Sequence, residues 1–218
     1  MVGHAVSDYS YDQTTGQPIE NVSYDYEGRI TAGLDYLVSG REGTAVYAIT
    51  GHDEVALTQG YMDAMAKANC KYEDLMLLGN EIPEDCKLLV ISAPSTDYSA
   101  DDADKVINYL SAGGQAIITI GLIDDIPTTM PNFNKILDYF EVTVGNGLVV
   151  DMASFNQSPY FIIPEVANNV ATQGVYGKKP VLMLYSKPLY ANSESEEVNA
   201  VSLLTSLDTL STEDGILN

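Results

Sequence analysis

Apolar residues change their spacing repeatedly along the chain, and the changes mark out alternating strands and helices. Leu88 to Ile91 and Ala116 to Ile120 are short apolar runs without alternation, the pattern of strands covered on both faces of a sheet. Between them Ala103, Val106, Ile107 and Leu110 recur at helical spacing and form one apolar face. Ser99 suits the cap of that helix, and Asp101 and Asp102 fall in its first turn, where the macrodipole favours negative charge. Gly113 or Gly114 offers the positive φ needed just past its end. Lys87 to Gly121 therefore reads as a βαβ unit with a right-handed crossover. It carries no reactive residue of its own.

The same reading extends both ways. Residues 1–23 are poor in apolar side chains and read as extended or partly ordered. A helix follows from about Tyr26 to Ser39, with Ile30, Leu34, Leu37 and Val38 on one face and Gly40 at its end. Thr44 to Thr50 is the first sheet strand, and a helix running to about Asn69 is expected to bury Leu57, Tyr61, Met65 and Ala68. Tyr72 to Leu78 reads as a second strand, at or next to the sheet edge. After a polar stretch from Leu122, Pro131 suits a first helical position, with Phe133, Ile136, Leu137 and Phe140 facing inward. Glu141 to Val144 and Leu148 to Asp151 are strand-like and separated by Gly145-Asn146-Gly147, which favours a hairpin turn. Phe161 to Ile163, Val181 to Tyr185 and Val201 to Leu204 complete a short β-rich end. Alternating strands and helices predict an α/β fold with a mainly parallel central sheet.

Charge changes the functional picture more than composition does. The 218 residues include 31 acidic and 10 basic side chains, a formal net charge of −21. That balance argues against nucleic acid and anionic membrane surfaces as partners, since phosphate binding needs clustered Lys and Arg. It suits a soluble acidic surface, or recruitment of cations or a basic partner. No apolar run approaches the roughly 18–20 residues that span a bilayer, and the polar opening Met-Val-Gly-His-Ala-Val-Ser-Asp lacks a basic signal-peptide start. The reading is a cytoplasmic protein, or one separated from its targeting and anchoring parts. Cys70 and Cys86 are too few for a disulfide framework and lack metal-ligand spacing, so their pairing stays open.

Candidate chemistry gathers where strands hand over to helices, the edge at which open α/β sheets bind ligands. In Gly51-His52-Asp53-Glu54, His52 is a candidate acid–base group and Glu54 its partner or a ligand contact. The plain alternative has Gly51 making the turn, Asp53 capping a helix and His52 exposed. Ser92-Ala-Pro-Ser-Thr96 lies after the central strand, yet a nucleophile elbow needs flanking glycines, and Pro94 interrupts the pattern. Asp124, beside Asp125, follows the next strand and could share a pocket with His52, Glu54 and Ser92. Asp101, Asp102 and Asp104 lack the glycine and distal glutamate of a calcium loop. There is no phosphate-binding glycine loop. The sequence thus supplies four ligand-binding candidates, His52, Glu54, Ser92 and Asp124, with no catalytic set, metal site or cofactor.

The stretches Thr44-Ala-Val-Tyr-Ala-Ile-Thr-Gly-His-Asp-Glu54, Lys87 to Ser99, Val106 to Gly114 and Gly147-Leu-Val-Val-Asp151 together resemble the gliding-motility-type auxiliary proteins of ABC transporters, over about Glu27 to Leu204. Gly51, His52 and Glu54 match the family's Thr-Gly-His-x-Glu motif, while Asp53 stands where a glycine is common. The resemblance implies a flavodoxin-like three-layer fold related to the glutamine-amidotransferase-like and trehalose-utilisation-like folds, without their catalytic cysteine. It implies segments at 1–25 (extended), 26–204 (the domain, with a small β-rich C-terminal extension) and 205–218 (a tail leading into a longer protein). It also implies an extracytoplasmic, non-enzymatic accessory domain, held to the membrane by segments outside this sequence. Its partners would be an ABC permease and ATPase, with a partner protein or a small ligand bound at the sheet's carboxyl edge. The rival reading is a hydrolase or sugar-modifying enzyme of the trehalose-utilisation type, using His52 and Glu54.

Overall fold

The computed structural model describes residues 5–11, 18–24, 31, 43–151, 155–156, 158–178, 180–191, 198–206 and 209–211. Its centre is a four-stranded parallel sheet. Strands β3 (Thr44–Thr50), β4 (Cys70–Met76), β5 (Leu88–Ser92) and β6 (Ala116–Thr119) lie in the order β4-β3-β5-β6. Preceding them, β1 (Ala5–Tyr11) and β2 (Pro18–Tyr24) form an antiparallel pair of their own. The helix expected over 26–39 falls, but for Thr31, outside the described residues.

Side chains alternate across the central strands and feed two separate cores. Val46 and Ala48 of β3 and Val90 of β5 pack with Met65 of helix α1 (Gln59–Lys67). On the opposite face Ile49, Leu89 and Ile91 join Ala103, Val106 and Leu110 of α2 (Ala100–Ser111) and Phe133, Ile136 and Leu137 of α4 (Pro131–Tyr139). Both faces of β3 and β5 are thus covered, which for β5 is what its unbroken apolar run predicts. Strand β6 differs. It is an edge strand, and only Ala116 and Ile118 lean on the core while Ile117 stays 39% exposed.

Helix signals were local and hold locally. Ser99 caps α2 by accepting a bond from the Asp102 amide at 3.1 Å, an interaction of about 1 kcal/mol. Pro131 opens α4 one residue after the short helix α3 (Ile126–Thr129). α1 starts later than its sequence suggests: residues 51–58 form a loop, Met65 is buried, and Tyr61 and Ala68 are exposed.

The β-rich end is assembled from small antiparallel pairs. β7 (Val142–Val144) pairs with β13 (Leu189–Ala191), and β8 (Val149–Asp151) pairs with β15 (Thr209–Ser211). β9 (Phe155–Asn156), β10 (Ser158–Ile162) and β12 (Met183–Leu184) make a three-stranded sheet, and β11 (Glu165–Val166) pairs with β14 (Leu204–Thr205). The hairpin expected at Gly145–Gly147 is therefore absent: β7 and β8 each take a partner from much later in the chain. The Gly-Asn-Gly turn grips the loop after β6 instead. Gly147 N donates to Asp124 at 2.9 Å and Asn146 accepts from Asp125 N at 2.7 Å.

Candidate functional site

At the carboxyl end of β3 the chain reverses through Gly51 at φ +113 and Asp53 at φ +54. Asp and Gly are the residues that enter this region most cheaply. The reversal drives His52 inward, to 7% exposure, instead of leaving it in solvent. Asp53 does not cap a helix; its carboxylate accepts from Thr96 Oγ1 at 2.6 Å. His52 O accepts from the amides of Ser95 and Thr96, and Val55 N donates to Ser92 O. These bonds seat the loop after β3 on the loop after β5.

The His52 ring is closed in on three sides. Nδ1 lies 3.1 Å from Glu54 Oε1, and the same carboxylate accepts from the His52 backbone amide at 2.8 Å. Nε2 faces Asp102 Oδ2 at 3.4 Å. Tyr98 stacks on one ring face, with centroids 3.8 Å apart and planes 6° from parallel. Behind Asp102, Lys105 lies 3.6 Å away and also pairs with Asp101 at 2.7 Å. Two buried carboxylates, Glu54 and Asp102, thus face the His52 ring, and Asp102 also lies beside the buried Lys105 ammonium, so neither is buried without a polar partner. Burial, followed by the negative charge of Glu54, pushes the Tyr98 phenol up from its ordinary range.

The four sequence candidates do not behave as one site. His52 and Glu54 come together. Ser92 meets their loop through its carbonyl, which accepts from Val55 N at 2.8 Å. Asp124 is held by Gly147 and by Lys187, which reaches it from the β-rich end. The Lys187 ammonium, then the Gly147 amide, keeps the Asp124 carboxyl below its ordinary value. Tyr98 and Asp102 were not among the sequence candidates, although Asp102 was visible as a helix-start acid. Ala93 was missed altogether. It follows the central strand at φ +46, a left-handed turn costing about 1–2 kcal/mol for a residue with a Cβ. A strained residue just after a parallel strand is where α/β hydrolases carry a nucleophile; here the side chain is a methyl group.

An opening lies at the other end of the sheet. A cavity of about 600 Å³ is lined by Ile82, Pro83, Cys86, Asn108, Tyr109 and Gln115, among others. Tyr109 OH donates to Gln115 O and accepts from Gln115 N, both at 3.2 Å, and its ring lies against Gly114, where any Cβ would strike it. Burial pushes the Cys86 thiol up. Burial, then the neighbouring Cys86, pushes Tyr109 up to about 12. Cys86 and Cys70 are both free thiols. Among the described residues no group of three or more His, Cys, Asp or Glu is placed to hold a metal ion, and no helix is long and apolar enough to cross a membrane.

Parallel sheet, helices against both faces and a polar cluster sealed at the carboxyl end define an α/β domain. No family model matches the chain, and neither does any curated protein. Its fold is similar to a solved structure described as "mmIFT52 N-terminal domain", with a TM-score of 0.54 and 17% sequence identity over 73% of this chain and 72% of that one. At that identity the likeness speaks for the fold alone.

Proposed function

We propose that the chain is a non-enzymatic accessory domain of flavodoxin-like type, working by binding a partner. The observation that carries this reading is the enclosure of His52. Both ring nitrogens face carboxylates, one ring face is covered by Tyr98, and the residue is 7% exposed. An acid–base group needs one nitrogen within reach of a substrate proton, and His52 offers neither. The methyl group of Ala93 in the strained turn supports the same reading, because no covalent step can start there. The strand order β4-β3-β5-β6 supports the flavodoxin-like assignment, since that fold also places its second strand outside its first and continues outward from the third.

The Thr-Gly-His-x-Glu resemblance extends the proposal to an extracytoplasmic component of an ABC-type transport system, anchored by segments outside this sequence. Crosslinking of the tagged protein in its own host, followed by mass spectrometry, tests this directly. The expected result is enrichment of one ABC permease and its ATPase. Steady turnover of chromogenic glycosides or esters, lost in His52→Ala, would overturn the reading and favour the trehalose-utilisation-type hydrolase.

A further inference from the structure

The rim at the carboxyl end of the sheet holds out large apolar side chains, two of them on backbone fixed by hydrogen bonds. Leu78 is 77% exposed, Val55 62%, Leu122 61% and Met76 51%. Leu78 sits at the tip of a turn clamped on both sides. Asn80 N and Lys105 Nζ each donate to Leu77 O at 3.0 Å, and Asn80 Nδ2 donates to Met76 O at 2.8 Å. Val55 is pinned over β5 by its bond to Ser92. Side chains presented this way lose little freedom on binding, which is what raises affinity at a contact surface.

The strand order sets them in a row. Met76 ends β4 and Leu78 lies in the turn just after it, Val55 is bonded to the end of β5, and Leu122 follows β6. Three strand spacings separate the ends of the row, roughly 14 Å, which a helix of about three turns would cover. Asp53 and Asp125 flank it, both exposed, whereas Asp124 is already paired with Lys187. Among the described residues, the lysines at this end, Lys105 and Lys187, have side chains only 11% and 3% exposed, and both already face carboxylates. With a net charge of −21, a second copy of the chain would meet like charge here. Charge complementarity selects the opposite occupant.

We infer that this rim docks a basic amphipathic helix of a partner protein, its apolar side chains on Val55, Met76, Leu78 and Leu122 and its Lys or Arg toward Asp53 and Asp125. The inference rests on the partner-binding reading above and names that partner's chemistry. Amide shifts of the ¹⁵N-labelled full chain, titrated with a synthetic Leu–Lys amphipathic peptide and with a matched Leu–Glu peptide, test it. The Leu–Lys peptide alone should shift Val55, Met76 to Asn80 and Leu122 to Asp125. The double variant Val55→Ser, Leu78→Ser should bind it about tenfold more weakly, the size of losing roughly 1.4 kcal/mol of apolar contact. Unchanged affinity in that variant would reduce the effect to bulk charge and overturn the inference. Shifts elsewhere, no binding, or concentration-dependent shifts without peptide would overturn it too. Enzymatic turnover would sink the non-catalytic reading while leaving the shifts intact, so the two failures are separable.

Discussion

The two ends of the parallel sheet are made from the same βα units and have opposite characters. The carboxyl end concentrates strain and buried charge: Asp53, Ala93 and Asp125 all adopt positive φ, and His52, Glu54 and Asp102 are packed together with Tyr98. The amino end has room, a cavity of about 600 Å³ beside Cys86 and Tyr109. Open α/β sheets usually bind small ligands at the carboxyl end. Here the polar residues gathered at that end hold the loop after β3 against the segment after β5, and a cavity lies at the other end.

The contrast breaks most readily at His52. Replacing it by Ala leaves the Glu54 and Asp102 carboxylates buried without the group between them, and removes the surface on which Tyr98 stacks. The expected loss is about 3–5 kcal/mol, read from urea unfolding at unchanged slope. A loss below 1 kcal/mol would mean that the cluster is not what fixes this end. Gly114→Ala probes the amino end, where the new Cβ would push the Tyr109 ring toward the cavity. Overpacking of this kind costs about 1–3 kcal/mol, and a cost equal to that of His52→Ala would erase the distinction between closed and roomy ends.

The smallest effect is a titration. Tyr109 keeps its proton to about pH 12 in the fold, chiefly through burial, whereas an unfolded tyrosine loses it near pH 10. Its folded value is raised, so its contribution to stability is complete below the unfolded value and is lost as pH climbs from about 10 to 12. Absorbance at alkaline pH should show a late-titrating phenol that moves down toward pH 10 in the Gly114→Ala variant. A Tyr109 that already titrates at pH 10 in the wild type would argue that its side of the cavity is open to water.

Features written within one turn of the chain were legible before the structure. The Ser99 cap, Pro131, and the inward faces of α2 and α4 depend on neighbours three or four residues apart, and the residue types state them. Long-range choices were not. Gly145-Asn146-Gly147 permits a tight turn but cannot say that β7 will pair with Leu189–Ala191 and β8 with Thr209–Ser211. Asp102 reads as a helix-start acid whether it lies in water or, as here, in the core facing His52. His52 and Glu54 were visible as a pair, and their enclosure was not, because it is completed by Tyr98 and Asp102 more than forty positions away. Nothing about an alanine announces a positive φ, so Ala93 could not have been found.

One short segment meets most of these long-range contacts. Asp97 accepts bonds from Asn132 N, Asn132 Nδ2 and Phe133 N, Tyr98 covers His52, Ser99 caps α2 and Asp102 completes the buried cluster. Residues 97–102 thus tie the loop after β3, the start of α2 and the start of α4 into one joint. New chain ends are tolerated where backbone is exposed and free of such bonds. A circular permutant opened within 97–102 would release three anchors with a single cut, so at this joint the unbroken covalent chain is itself part of the structure.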